Sequence, residues 1–247
     1  MATLHHYIPA KRISDDVYGM YDLISGNFYE SDTTDPFLGG ATASGHNLPA
    51  EYEEVEYISS TGSQYINTGY FPNQNTVTSC TFEVISFIGS AYNSLYNCQG
   101  TSMQPSPWYG GDIRHESSDR WSLLYRYGTR SDYVHNMPTL ASGIHTFEQD
   151  HGKNIFDGVQ LSEYTNVPDF TLTYPLFLFA QNRGNQQTTT YSSIKMYEMI
   201  IAENEITPPT PPTPGDLNLY YDGHGVDDLY YNGQHVDHLV YNGNPVE

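Results

Sequence analysis

The chain has 247 residues, with nine Lys and Arg against 29 Asp and Glu, for a net charge of −20. A groove that neutralises phosphates needs a basic stripe, which excludes nucleic acid as a partner. No run approaches the 18 apolar residues of a membrane-spanning helix, and the opening Met1-Ala2-Thr3-Leu4 lacks the basic-then-apolar order of a signal peptide.

Charged residues are only 15% of the chain and tyrosine supplies 23 positions. Helix formers dominate no long window, whereas Tyr, Thr and Val suit pleated surfaces and Gly, Asn and Pro supply turns. The expected class is all-β. Two cysteines, Cys80 and Cys98, are too few for a disulfide framework and read as reduced core or strand residues.

Residues 1–47 form a lead segment that ends in the small, flexible run Gly39-Gly40-Ala41-Thr42-Ala43-Ser44-Gly45. Residues 48–206 carry short apolar or alternating runs between turn clusters. Among them are Glu54–Ile58, Cys80–Ile85, Trp121–Tyr125, Leu176–Phe179 and Ile194–Ile200. Each strand must bury one face, so this spacing predicts a two-sheet sandwich. Residues 207–215 hold five prolines within Pro208–Pro214, which fix φ and remove donors; an extended spacer and a boundary follow.

Residues 216–247 repeat with a period of ten. Leu219-Tyr220-Tyr221-Asp222-Gly223 aligns with Leu229-Tyr230-Tyr231-Asn232-Gly233 and with Leu239-Val240-Tyr241-Asn242-Gly243, and Val226, Val236 and Val246 keep register. Asp-Gly and Asn-Gly tolerate positive φ at both central positions, so each unit reads as strand, tight turn, strand. Apolar content is thin, and three units are about the minimum for an array. Stacking with other copies or with a partner is the expectation, with Tyr221, Tyr231, Tyr241, Val226 and Val236 as the assembly residues.

The stretch Leu48-Pro49-Ala50-Glu51-Tyr52-Glu53-Glu54-Val55-Glu56-Tyr57-Ile58-Ser59-Ser60-Thr61-Gly62-Ser63-Gln64-Tyr65-Ile66-Asn67-Thr68-Gly69 resembles the opening of concanavalin A-like (laminin-G-like) lectin/glucanase domains of bacteriophage tail, fibre and other virion proteins. Gly143–Phe147 with Ile155–Gly158 looks like that fold's central strand pair. Leu176–Asn182 and Ile194–Met199 look like its closing strands, so the resemblance spans roughly residues 48–203. It implies a concanavalin A-like jelly-roll sandwich, followed here by a small β-repeat tail. It also implies a virion protein of the tail, a fibre or the capsid surface, made in the bacterial host cytoplasm. The expected partners are other virion proteins, copies of itself in a homo-oligomer, and host surface polysaccharide.

Tyr7–Arg12 and Gly19–Tyr29 match the same family at the wrong end, resembling the stretch that normally follows its last strand. Either they belong to a lost preceding domain, or they complete a sandwich. Orphaned strands would leave unpaired backbone and exposed Ile8, Met20, Phe28 and Phe37, which favours completion. It could occur in cis, as in a circular permutation, or in trans, by strand donation to another copy.

Chemistry is sparse. Sandwich glucanases of this type place Glu-x-Asp-x-Glu on one strand so that alternate carboxylates share a cleft, and no such run exists. Glu54-Val55-Glu56 reads as a solvated face, so the chain is expected not to be an enzyme. The stretch His235-Val236-Asp237-His238 reads as turn residues and not as a metal site; no cofactor is implied. Sugar binding needs an aromatic platform beside amides and carboxylates. Trp108, Tyr109 and Asp112, with Asn182 and Arg183 of the polar loop Gln181–Gln187, are the glycan-binding candidates. Trp121, which alternates with Leu123, reads as core. A non-enzymatic virion structural and adhesion protein is the expectation; a stand-alone carbohydrate-binding module is the alternative.

Overall fold

The computed structural model describes residues 4–86, 92–100, 107–117, 120–134, 140, 142–166, 169–184 and 188–203, together with short strands of the tail between 220 and 246. The chain divides into two units, Met1–Glu205 and Ile206–Glu247. The first is a sandwich of two β-sheets, the class the sequence predicts.

Sheet one contains β1 (Leu4–Arg12), β2 (Val17–Asp22), β3 (Phe28–Tyr29), β4 (Leu38–Gly39), β5 (Tyr52–Glu54) and β6 (Ile58–Ser59). Sheet two begins with β7 (Ile66–Asn67), and β8 (Thr76–Ser86) returns to sheet one. Next come β9 (Tyr92–Gln99), β10 (Trp108–Ser117), β11 (Arg120–Gly128) and β12 (Arg130–Val134) of sheet two. Sheet one then takes β13 (Ile144–Asp150), β14 (Lys153–Phe156) and β15 (Val159–Glu163). Sheet two adds β16 (Phe177–Leu178), β17 (Ala180–Arg183) and β18 (Thr188–Tyr191), and β19 (Ser193–Glu203) closes sheet one. The main path of sheet one runs β15-β14-β13-β8-β19-β1-β2-β3, and that of sheet two β12-β11-β10-β9-β16-β7. Among the described residues every pairing is antiparallel except β17 on β9.

Alternation makes the core. Thr78, Cys80, Phe82 and Val84 of β8 are buried while Ser79, Thr81 and Glu83 are less so, as period two requires. His145, Phe147 and Gln149 of β13 and Asn154 and Phe156 of β14 follow the same rule. Sheet two answers with Tyr96, Tyr109, Leu123 and Tyr125, all in one apolar cluster with Phe82 and Phe147. A chain of hydrogen-bonded hydroxyls crosses the interior. Thr78 Oγ1 donates to Tyr96 Oη at 2.9 Å, and Tyr96 Oη donates to Gln149 Oε1 at 3.2 Å. The β14–β15 hairpin turns through Asp157 and Gly158 at φ 49° and 76°, the left-handed pair that an Asp-Gly turn supplies.

The lead segment is paired in cis. β1 lies between β19 and β2, with Leu4 opposite Ala202 and Tyr7 opposite Met199. Tyr7, Met20 and Phe37 join the main core, and Ile8, Ala10 and Tyr21 form a second small cluster on the opposite face, against Phe28, Leu48 and Tyr52. The Phe37 ring packs tilted against Phe179, with centres 4.8 Å apart, tying the lead segment to sheet two.

In the second unit three separate hairpins recur at the ten-residue period. Tyr221 pairs with His224, Tyr231 with Gln234 and Tyr241 with Asn244, each leaving two residues between the strands. Tyr221, Tyr231 and Tyr241 thus lie on strands; Val226, Val236 and the proline spacer lie outside the described residues.

Candidate functional site

β10 is the spine of the site. Trp108, Gly110 and Asp112 belong to one face of the strand, and Tyr109, Gly111 and Ile113 to the other. The second set packs inward: Tyr109 is fully buried, its Oη donating to the Thr76 carbonyl at 3.2 Å and lying 3.0 Å from Thr78 Oγ1. Tyr109 therefore offers no platform to a ligand, contrary to the sequence expectation, because it is one residue out of phase with Trp108.

Register assembles the outer face. Trp108 lies between Gln99 of β9 and Gly128 of β11, and Gly110 lies between Asn97 and Arg126. On the far side of β9, Gln181 pairs with Asn97 and Arg183 with Gln99. β9 carries one extra residue against Gly111 and Asp112, so Leu95 and Tyr96 both reach the core. A Cβ at Gly110 would stand 2.5 Å from the Tyr96 carbonyl oxygen and 3.0 Å from the Asn97 side chain. Glycine leaves the space in which the polar side chains converge.

Their centre is Asp112. It is fully buried, ion-paired to Arg126, and it accepts from Asn97 Nδ2 at 3.1 Å and from Gln181 Nε2 at 3.1 Å. Gln181 Oε1 in turn accepts from Arg183 Nε at 3.1 Å. The Arg126 guanidinium lies 4.2 Å from the centre of the Trp108 ring, and that of Arg183 lies 5.9 Å from it. Trp108 is half-buried and Arg183 exposed. Desolvating a carboxylate and a guanidinium costs several kcal/mol per ion, which close pairing and further hydrogen bonds must offset. Here Asp112 has three donors, so the network is rigid before any ligand arrives. Asn97 Oδ1 is buried with no hydrogen-bond partner among the described residues.

Asn182, chosen from the same polar loop as Arg183, is fully buried and donates from Nδ2 to the Pro175 carbonyl at 2.8 Å; it is structural. Its neighbours Gln181 and Arg183 serve the site instead. They are brought there after Phe179, which takes φ 66° between β16 and β17; the chain then leaves parallel to β9 after approaching it antiparallel. A bulky residue in that region stores strain, which burial against Phe37 holds in place. Sequence reasoning missed Arg126 and Asn97, and placed Gln181 in the polar loop without singling it out. A signal was present in Leu123-Leu124-Tyr125-Arg126, a charge that directly follows an apolar run within the strand. The side chains of Trp121 and residues 185–187 lie outside the described residues.

Glu54 and Glu56 form no catalytic pair. Glu56 is exposed. Glu54 departs from the solvated-face expectation: its carboxylate accepts from the Gly45 and His46 amides at 2.9 and 2.8 Å and lies 3.1 Å from His46 Nδ1. Burial would raise this carboxyl, but those contacts outweigh it and hold the group below its ordinary value. Beside it lies an open groove of about 520 Å³, lined by Ile13, Ala43, His46, Leu48, Tyr52 and Glu54 among others. His6 Nε2 meets Glu198 at 2.6 Å, and the His6 and His46 rings touch at 5.8 Å. These contacts tie down the connection from β4 to β5. Trp108 and Asp112 lie apart from this groove, on sheet two.

Cys80 and Cys98 are buried and unpaired, and burial pushes both thiols up. Cys98 Sγ donates to the Tyr174 carbonyl at 2.9 Å. Among the described residues no group of three or more His, Cys, Asp or Glu is arranged to hold a metal ion. His235 is on a tail strand, and Asp237 and His238 lie outside the described residues.

No protein-family model matches the chain, and no curated protein does. Among solved structures it is similar to a Trypanosoma rangeli sialidase in complex with sialic acid, at 8% identity and a TM-score of 0.43, over 81% of this chain and 31% of that one. It is also similar to a fructofuranosidase from Schwanniomyces occidentalis complexed with fructosylnystose, at 12% identity and a TM-score of 0.35, over 69% of this chain and 40% of that one. The chain spans less than half the length of either protein.

Proposed function

We propose that the chain is a non-enzymatic structural and adhesion protein of a bacteriophage particle, in the tail, a fibre or the capsid decoration, and that the outer face of sheet two contacts host-surface glycans. Trp108 carries the adhesion reading. An indole partly open to solvent accepts the C–H face of a sugar, and the amides, carboxylate and guanidinium groups around it suit hydroxyls. Because the platform sits on a strand and not on a loop, little ordering is left to be done on binding. The virion reading rests on the resemblance of residues 48–69 to phage domain openings, with the repeat tail as the element for assembly.

Hydrolysis of a glycosidic bond asks for two carboxyl groups about 5–10 Å apart, one of them free to carry a proton. In this cluster the Asp112 carboxylate is occupied by Arg126 and two amides, and among the described residues no second carboxylate contacts the cluster. That geometry suits holding a sugar more than cleaving it.

Isothermal titration of the full chain with surface polysaccharide from a candidate host tests the reading. Binding is expected to weaken at least tenfold in Trp108→Ala, whose melting temperature checks its fold, and no reducing ends should be released. The native mass should fall when residues 216–247 are removed. Turnover of polysaccharide would overturn the non-enzymatic assignment. A monomer with and without the tail would overturn the assembly role.

A further inference from the structure

Resting on the glycan-contact reading, we infer that the ligand of the sheet-two face is an acidic saccharide, a chain of uronic acids, and that Arg183 contacts its carboxylate. The strands of sheet two carry five of the nine cationic residues: Arg114, Arg120, Arg126, Arg130 and Arg183, against three carboxylates. The strands of sheet one carry four cations, three of them lysine, against nine carboxylates. One sheet is thus net positive in a chain of net charge −20.

The type of cation matters as well. The planar fork of arginine meets a carboxylate with two parallel hydrogen bonds, where lysine offers a single hydrated point charge. Arg126 is already spent on Asp112. Arg183 is exposed, uses only its Nε on Gln181, and has no carboxylate partner among the described residues. Among the described residues neither terminal nitrogen has a hydrogen-bond partner. Its guanidinium lies 5.9 Å from the Trp108 ring centre, about the width of one sugar ring. A pyranose seated against the exposed part of the indole therefore brings a carboxylate on its rim to Arg183.

The overall charge decides which polyanion fits. At physiological salt, screening confines a field to about 8 Å, so a ligand seated at Trp108 feels the neighbouring Arg126 and Arg183 first. Duplex DNA, with a charge every ~1.7 Å, extends far beyond them into the acidic remainder of the protein. A uronate oligomer bears one charge per sugar and suffers much less.

The test is calorimetry of the full chain with tetragalacturonate and with a hyaluronan hexasaccharide, each beside its carboxyl-reduced neutral product, and with a single-stranded DNA oligonucleotide. At least one acidic oligosaccharide should bind ten times or more tighter than its neutral partner, and 0.5 M salt should erase the difference. Arg183→Gln should narrow the preference below threefold, and Arg183→Lys should recover only part of it. If acidic and neutral forms bind alike, and binding still needs Trp108, the glycan contact stands and the acidic ligand is wrong. If no saccharide binds, both readings fall. Tighter binding of the oligonucleotide than of either acidic saccharide also overturns the inference.

Discussion

The guanidinium of Arg126 reaches in two directions at once: its terminal nitrogen pairs with Asp112, and its carbon lies 4.2 Å from the centre of the Trp108 ring. One side chain thereby couples a fully buried carboxylate to a half-exposed indole. Because Asp112 has no solvent of its own, the pair acts as one unit, and disturbing either end should be felt at the other.

Replacing Asp112 with alanine leaves Arg126 buried and uncompensated, which should cost about 3–5 kcal/mol. Replacing both together, Asp112→Leu with Arg126→Met, should cost much less than the first change alone. Urea unfolding of the wild type, both single variants and the double variant gives the coupling. A single-variant cost below ~1 kcal/mol would show that the pair is solvated.

Gly110→Ala puts a methyl group 2.5 Å from the Tyr96 carbonyl oxygen and 2.8 Å from Asn97 Cα, both backbone atoms that cannot swing aside. Overpacking of this kind costs about 1–3 kcal/mol. Thermal unfolding should shift down accordingly, and polysaccharide affinity should drop with it as Asn97 moves. Unchanged stability would mean that β9 and β10 separate more readily than their register implies.

Asp22 gives the sandwich an acid limit. Burial alone would raise its carboxyl, but donors from His5, Ser25 and the His6 and Ile24 amides together outweigh burial and lower it from 3.8 to about 2. A group depressed in the folded state adds stability above its unfolded pKa and loses it as pH falls toward the folded one. The contribution, about 2 kcal/mol, is complete above pH ~5 and disappears between roughly pH 4 and 2. Stability curves of the wild type and Asp22→Asn should be separated at pH 6 and approach each other near pH 2. Parallel curves across that range would remove Asp22 as the cause.

Deleting residues 1–39 takes Tyr7, Met20 and Phe37 out of the core and uncovers one edge of β19. At ~1.5–3 kcal/mol per buried side chain, the loss is comparable to the ~5–15 kcal/mol that holds a whole domain together. The truncated chain should aggregate, and co-expression of residues 1–39 as a separate peptide should restore soluble protein. A soluble truncated monomer with the same melting temperature would show that the lead segment is dispensable.

Much of the sandwich was legible because apolar alternation is local: Cys80, Phe82 and Val84 announce β8 by themselves. The lead segment was legible only through resemblance, and whether it closed its own sandwich or a neighbour's depended on the pairing of residues nearly two hundred positions apart. The site was half legible. Trp108 and Arg183 come together on the outer face of sheet two, but Tyr109 and Asn182, adjacent to them in sequence, are buried for the simple reason that neighbours on a strand face opposite sides. Period two, applied within each candidate group, would have separated them. Nothing local could have brought Gln181 to Asp112, 69 positions away, because that contact depends on the reversal at Phe179.

The place of β1 inside its sheet imposes an order on biosynthesis. Translation at ~5–20 residues per second makes Leu4–Arg12 wait on the order of ten to forty seconds for Ser193–Glu203. β2 can cover one side of the nascent strand early, and β5 can follow once Glu54 has left the ribosome. β5 covers the other side only at Ala10–Arg12, so the stretch Leu4–Tyr7 stays a naked hydrogen-bonding rail until almost the whole body has emerged. Such distant pairing makes folding slow, and the waiting strand is what a holding chaperone would have to guard.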